Sequence, residues 1–465
     1  MVINNREKIK VKRLKSKKLS PCNMPPHHPG LLFLLSVIFY LLSFPSVSFA
    51  TPVIQHWTTS NGARVYFVPA PELPMVDVQV IFDAGGARDG NKGGIAQLTN
   101  DLLDEGAGNF NADQIAERFE ALGAQYGASS HRDMAVTSLR SLTDPQFLQP
   151  ALETYALTLK APTFPADSLA RIRNQMHIAL QAEQQSPSSI ADKAFYTAMY
   201  GNHPYASPVL GTDESLNALS RDDAVLYHQQ YYVARNAVIA IVGALDRTAA
   251  EAVVNTIISE LPAGNPAPPL PGVASLTEAQ TIHIEYPSTQ THVLTGHPGI
   301  SRDDPDYFTL YVGNHILGGS GLVSRISEEV REKRGLSYSA YSYFIPMRDR
   351  GPYTLGLQTR NEQTAEAIKV LRDTLQEFID NGPTRKELTS SKQNISGGFP
   401  LRISSNRKIV DNLAAIGFYN LPLDYLDTFN AHIEAVTIEQ IKDAFKRRVH
   451  PDKMVTITVG PGAAP

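Results

Sequence analysis

One cysteine in 465 residues, and that one at position 22, removes most of the chemistry that a thiol supplies. The rest of the chain can hold no disulfide, no cysteine nucleophile and no thiolate ligand for zinc. Apolar runs of bilayer length are missing too. The longest, Leu31 to Phe44, has about 14 residues, against the roughly 20 of a membrane-crossing helix. It follows a basic stretch from Arg6 to Lys18 and precedes small residues at Ser48 and Ala50, the layout of a secretory signal with an extended basic region. Residues 1–50 are therefore read as a signal peptide cleaved after Ala50, an uncleaved anchor being the alternative, and the remainder as periplasmic or secreted. Cys22 lies ahead of the apolar run, where no lipid-modified cysteine belongs.

Positive charge is scarce once that segment is gone. Eight of the 42 basic residues and one of the 46 acidic residues fall within it, which leaves a formal charge of about −11. Such a surface repels phosphate backbones, and nucleic-acid binding is excluded on that ground. The 42% hydrophobic and 19% charged composition is that of a soluble protein long enough for two or more cored domains.

The stretch from Leu261 to Pro271 has five prolines in eleven residues and can hold neither a helix nor a central strand. It marks a linker over 263–278, between a first unit at 51–262 and a second at 279–465. The chain repeats itself across this boundary. Gly123-Ala-Gln-Tyr126 returns as Gly335-Leu-Ser-Tyr338, and Ala237-Val-Ile-Ala-Ile-Val-Gly243 as Met454-Val-Thr-Ile-Thr-Val-Gly460, offsets of about 212 and 217.

Each unit has the same order of elements. In the first, Val65 and Phe67, then Val76, Val78, Val80 and Phe82, alternate as strands do. Helical spacing follows from Gly94 and from Asp113, then strands over 128–142, then helices over 145–160 and 167–184. In the second, strands at 281–284 and 291–296 precede helices at 305–317 and 322–334. Strands at 337–344 and 351–359 come next, then helices from Thr364 and from Thr384, the latter with the capping-box spacing Thr384-Arg-Lys-Glu387. The class predicted is α+β: two homologous repeats, each a mostly antiparallel mixed sheet with helices packed on one face.

Several blocks in fixed order carry a resemblance. They are Gly93-Gly94-Ile95-Ala96, His203-Pro204-Tyr205, Pro208-Val209-Leu210-Gly211-Thr212, and Ser324-Arg325 leading through Glu329-Val330-Arg331-Glu332-Lys333-Arg334 to Gly335-Leu336-Ser337-Tyr338. With them the chain, over roughly residues 53 to 462, resembles the family of pitrilysin, insulin-degrading enzyme and the mitochondrial processing peptidase, whose members carry an inverted zinc motif, His-x-x-Glu-His. That chemistry needs two histidines one helical turn apart, a glutamate as base for metal-bound water and a third carboxylate ligand further on. Here the corresponding register reads Gln97-Leu98-Thr99-Asn100-Asp101, and the third position falls near the apolar Ile178 or Ala179. His177 and Glu183 do not rescue it, because Asp101 is the one charged group in the motif. The three positions Gln97, Asn100 and Asp101 read as a polar helix face without a metal, weak binding of a harder cation such as calcium being the alternative.

In the second repeat the resemblance implies that Arg331 and Tyr338, seven residues apart, bind the substrate backbone and support a tetrahedral intermediate at a zinc site. Both are donors suited to a developing oxyanion. Gly335 between them is placed to end the helix and turn the chain so that the two converge on one cleft. The ordinary structural reading is a basic residue at a helix C-terminus and a half-buried strand tyrosine.

Family members of this kind divide the metal and the Arg/Tyr pair between polypeptides. The resemblance therefore implies a subunit with no cofactor of its own, lending Arg331, Tyr338 and half of a chamber for unfolded peptide to a homologous zinc-bearing partner. The alternative is a non-enzymatic peptide-binding or scaffold protein of the same fold. Three further features are read as structural. Gly318-Gly319-Ser320-Gly321 lacks the Lys-Ser/Thr of a phosphate loop; His203 sits in a proline-rich turn; and His292 and His297, five apart, fall on opposite faces of a strand.

Overall fold

Valine and isoleucine make up half of Met75–Phe82 (β3) and four of the seven residues of Ala237–Gly243 (β8), and these two strands pair antiparallel at the heart of a six-stranded sheet. The computed structural model describes residues 53–462, so the signal-peptide assignment and Cys22 lie outside the described residues. Around β3 and β8 stand β1 (Gln55–Thr58), β2 (Arg64–Pro69), β6 (Gln125–Ser130) and β7 (Ala135–Leu142), in the order β1-β2-β8-β3-β7-β6. A short hairpin, β4 (Gly106–Ala107) and β5 (Phe110–Asn111), stands apart. The helices of this half are α1 (Ile95–Asp101), α2 (Ala112–Glu120), α3 (Pro145–Lys160), α4 (Ala166–Gln184), α5 (Pro187–Tyr200), α6 (Asp213–Ala218), α7 (Arg221–Tyr231) and α8 (Arg247–Ile258).

The second half has β9 (Gln280–Glu285), β10 (Gln290–Pro298), α9 (Tyr307–Asn314), β11 (Ala340–Phe344), β12 (Pro352–Arg360), α10 (Thr364–Asn381), α11 (Arg385–Arg402), α12 (Asn406–Phe418), α13 (Tyr425–Ala435), α14 (Ile438–Arg448) and β13 (Val455–Gly460). Its sheet runs β9-β13-β10-β12-β11. That is the order β2-β8-β3-β7-β6 of the first sheet. In each case the outer pair, β2 with β8 and β9 with β13, is parallel and the rest antiparallel. The repeat seen in the sequence is thus a repeat of topology, and the fold is α+β with two mixed sheets. No helix among the described residues is long and apolar enough to cross a membrane.

The second face of each sheet was not anticipated. On the first sheet Val65, Phe67, Val78, Val80 and Ile239 pack into that half's own helical core. The opposite face presents Tyr66, Val68, Ile81, Val238 and Ala240, which join a core with Val410, Leu413 and Ala414 of α12, a helix of the second half. Conversely, Val455, Ile457 and Val459 of β13 pack against Ala191, Phe195 and Met199 of α5, a helix of the first half. The two halves exchange one helix each, so β8 is buried along its whole length, and its apolar run needs no alternation.

Three boundaries differ from those predicted. The helix expected over 305–317 starts at Tyr307 and widens after Asn314 into a π-helix, His315–Gly319. Gly318 there meets β11 so closely that a Cβ would lie 2.3 Å from the Ser342 hydroxyl oxygen. The helix expected over 322–334 is one turn, Arg325–Ser327, continued by a π-helix, Glu328–Glu332. The strand expected from Ser337 begins at Ala340, because Leu336 is buried and its carbonyl is taken by the Thr359 hydroxyl, off the ladder.

Gly417 of α12 marks the closest approach in the exchange. A Cβ there would sit 2.4 Å from Val238 Cγ1 and 2.7 Å from the Tyr66 ring. Gly417→Ala should overpack this contact and destabilise the protein by roughly 1–3 kcal/mol, read as a lower thermal midpoint, whereas Ala at the open helical position Gly397 of α11 should raise the midpoint slightly.

Candidate functional site

The helix in the zinc-motif register is held by backbone packing that admits no side chain. Gly94 caps α1 at φ 88°, and a Cβ on it would lie 2.8 Å from the Leu210 carbonyl oxygen. Gly211, also at positive φ, faces Gly93 in the same way, with only 2.4 Å from its would-be Cβ to the Gly93 oxygen. The Ser215 hydroxyl donates to that oxygen at 2.8 Å. Two of the blocks that carry the family resemblance, 93–96 and 208–212, are therefore one contact. Behind it, the Asp89 carboxylate accepts from the backbone N–H of Gly94 at 2.7 Å and of Ala96 at 3.0 Å, satisfying donors the helix start leaves free. Burial pushes the Asp89 pKa up to about 7, against the pull of those two bonds.

On this helix two of the three motif positions bond each other and the third turns inward. Gln97 Nε2 donates to both carboxylate oxygens of Asp101, 2.8 Å each. Asn100 is fully buried; its Nδ2 donates to the Tyr232 hydroxyl at 3.1 Å and its Oδ1 has no hydrogen-bond partner among the described residues. Zinc asks for nitrogen, sulfur or carboxylate donors converging tetrahedrally. Two amides and one carboxylate already bonded to an amide do not fit it. Among the described residues no three His, Cys, Asp or Glu side chains are placed to hold a metal. His177 pairs with Asp213 at 2.7 Å, and Ile178 is exposed. Burial raises the Asp101 pKa, opposed by Gln97 and reinforced by Glu105, and raises that of Asp104 to about 6.

Beside α1 lies β6, the edge of the first sheet, paired only with β7 among the described residues.

In the second half the Gly335 cap forms as expected, at φ 61°, its N–H donating to the Arg331 carbonyl at 2.9 Å. Lys333 and Arg334 both bond Glu329, at 2.6 Å each, while Arg331 has, among the described residues, only Glu332 at 3.5 Å. Tyr338 is 86% exposed, which rules out the half-buried strand tyrosine of the structural reading. Neither residue lines a cleft of about 640 Å³ elsewhere in the protein, and no hydrogen bond joins them among the described residues.

That cleft is a feature sequence reading missed. It lies where α5 crosses the outer face of the second sheet, between Tyr196 and Asp192 on one side and His292, Tyr341 and Gln358 on the other. Arg132 enters it with its guanidinium 3.8 Å from the Tyr196 ring centre. No local signal points to it, since it exists only through the helix exchange. His203 serves the turn structurally: its Nδ1 accepts from the Tyr205 N–H at 3.1 Å and its Nε2 donates to the Pro271 carbonyl at 2.8 Å. His297 is buried against the backbone of Pro298 and His450.

Comparison with known proteins places these features. The family model described as Insulinase (Peptidase family M16) matches residues 64–213, and that described as Peptidase M16 inactive domain matches 218–395. A crystal structure of a peptidase M16 inactive domain from Pseudomonas fluorescens superposes with a TM-score of 0.86 at 44% identity, covering 88% of this chain and 98% of that one. A protease from Helicobacter pylori shares the fold at a TM-score of 0.82 and 18% identity, covering 88% of this chain and 100% of that one. The non-peptidase homolog YmxG of Helicobacter pylori is 27% identical over 80% of this chain and 86% of its own length. An uncharacterized zinc protease, YmxG of Bacillus subtilis, is 26% identical over 77% of this chain and 87% of its own.

The acid at the end of α1 has a measurable cost. Asp104 binds its proton more tightly folded than unfolded, so stability falls as pH rises from about 4 to about 6 and the full penalty stands above that. Asp104→Asn should stabilise by roughly 1–2 kcal/mol at pH 7 and make no difference near pH 3.5, as urea titrations at the two values will show.

Proposed function

Since this chain belongs to peptidase family M16, and its own donor set does not suit zinc, we propose that it is the non-metal-binding subunit of an exported peptidase. It works beside a homologous subunit that carries His-x-x-Glu-His and the zinc. The observation that carries this reading is the contrast between the halves. Gln97 and Asp101 of the first half bond each other and Asn100 is buried against Tyr232, while Tyr338 of the second half is 86% exposed and Arg331 stands on a capped helix end with, among the described residues, only a long ion contact.

In this reading the partner closes over this chain and the two enclose a chamber for unfolded peptide. A peptide adds as a strand to a sheet edge, where backbone hydrogen bonds hold it regardless of side chain. The Arg331 guanidinium and the Tyr338 phenol donate to peptide carbonyl oxygens, and their bonds strengthen as negative charge develops there. Arginine suits this task because it stays charged at every working pH. The signal-like segment puts the pair in the periplasm or outside the cell, and the acidic mature chain has no role with nucleic acid. This chain needs no cofactor of its own.

A second reading, a non-enzymatic peptide-binding or scaffold protein, is favoured by one fact: neither Arg331 nor Tyr338 lines the large cleft of this chain. Kinetics separates the two. Alone, the purified chain should be metal-free and inactive. Reconstituted with its zinc-bearing homologue, Arg331→Ala should lower kcat/KM by roughly 10²-fold or more and Tyr338→Phe by about 10-fold, with assembly of the pair unchanged. A mutant pair as fast as the wild type would leave the scaffold reading.

A further inference from the structure

The second repeat contains a counterpart of the first repeat's motif helix and edge strand. There α9 packs beside β11 as α1 packs beside β6, about 212 residues earlier in the chain. Between α9, its π-helical extension and β11 lies a cavity of about 520 Å³. Its charged lining is two arginines, Arg302 and Arg402, with no carboxylate.

Neither arginine is neutralised by an ion pair among the described residues. The acids nearest Arg302 in sequence are engaged elsewhere: Asp303 takes the Ser301 hydroxyl at 2.7 Å, and Asp304 and Asp306 pair with Arg447 and Arg448. Aromatic groups hold the cations instead. Arg302 donates through Nη1 to the Tyr307 hydroxyl at 2.9 Å and lies 4.6 Å from that ring's centre. Arg402 donates to the Tyr311 hydroxyl and lies 5.6 Å from its ring centre. Ring faces attract a cation without cancelling its charge. Arg302 Nε is buried with no hydrogen-bond partner among the described residues, so the guanidinium is held under-bonded. Two guanidiniums lining one cavity without a carboxylate make a site short of one anion.

The cavity opens beside a strand edge. β11 pairs only with β12 among the described residues, and its Tyr343 and Phe344 help line the cavity. A peptide laid along the free edge of β11 would pass it, and the volume suits a whole residue. We infer that this cavity takes a carboxylate of an extended peptide, either its C-terminus or an acidic side chain, held by charge-assisted bonds from Arg302 and Arg402. The inference rests on the peptide-binding reading and gives it a preference for acidic peptides.

Calorimetry of the whole chain with three acetylated peptides of equal length tests it: one with a free C-terminus and no acidic residue, one amidated with a single glutamate, and one amidated without. At least one carboxylate peptide should bind ten times more tightly than the uncharged one. Arg402→Gln, at an exposed position, should erase that difference without shifting the thermal midpoint. Arg302→Lys, which keeps the charge but not the planar fork that matches a carboxylate, should reduce it several-fold. Equal binding of all three peptides, or an undiminished preference in Arg402→Gln, would overturn the carboxylate assignment alone. No binding of any peptide would overturn it together with the peptide-binding reading, whereas the Arg331→Ala rate of the reconstituted pair reports on the subunit reading independently.

Discussion

Each sheet of this protein has an apolar face that its own half cannot cover. Tyr66, Val68, Val238 and Ala240 on one, and Val455, Ile457 and Val459 on the other, would be left in water if the repeats folded side by side as separate layers. The exchange of α5 and α12 removes both faces from solvent at once, and each is covered only because the other half is present. Its tightness shows in the glycines. Gly417 leaves room for Val238 and Tyr66, and Gly296 of β10 has the Phe195 ring 2.9 Å from where a Cβ would be. Polar contacts follow the same path. The Gln79 amide donates to Asp411 at 2.6 Å, and the Asp133 carboxylate accepts from the Arg348 N–H at 2.7 Å. A chain stitched in both directions has little freedom to move one half against the other, so any partner meets a surface whose geometry is set in advance.

In the first repeat, what places α1 is separate from what α1 presents. Asp89 on the helix start, Gly94 against Leu210 and Gly211 against Gly93 fix the helix. Of its polar side chains, Gln97 and Asp101 bond each other and Asn100 turns to Tyr232. The two sets answer to different forces. The placement is under steric demand from the whole half, while the polar positions depend on local hydrogen bonds.

The two repeats have also parted in charge. At the end of α1 and just beyond it stand Asp101, Asp104 and Glu105, acidic enough that burial and mutual repulsion lift the pKa values of the first two. Beside the edge strand of the second repeat, β11, Arg302 and Arg402 line a cavity held by aromatic rings. One topology thus presents a negative and a positive site beside two strand edges. An extended peptide meeting both would be oriented by its own charges.

Much of this was legible in the amino-acid order, for identifiable reasons. Alternation at Val76, Val78, Val80 and Phe82 and the capping box at Thr384 and Glu387 are local signals, and both elements form where they were read. The polar side chains Gln97, Asn100 and Asp101 were legible as one helix, and that helix forms; what each of them bonds was not. The helix exchange, the cleft under α5 and the exposure of Tyr338 were not. α5 looks like any amphipathic helix until its partner is known, and β13 shows an apolar run without saying whose helix covers it. Composition and periodicity determine which residues must leave water and which groups can do chemistry; only the closed tertiary structure decides which surfaces meet, because burial is non-directional and leaves the choice of partner to the packing of the whole chain.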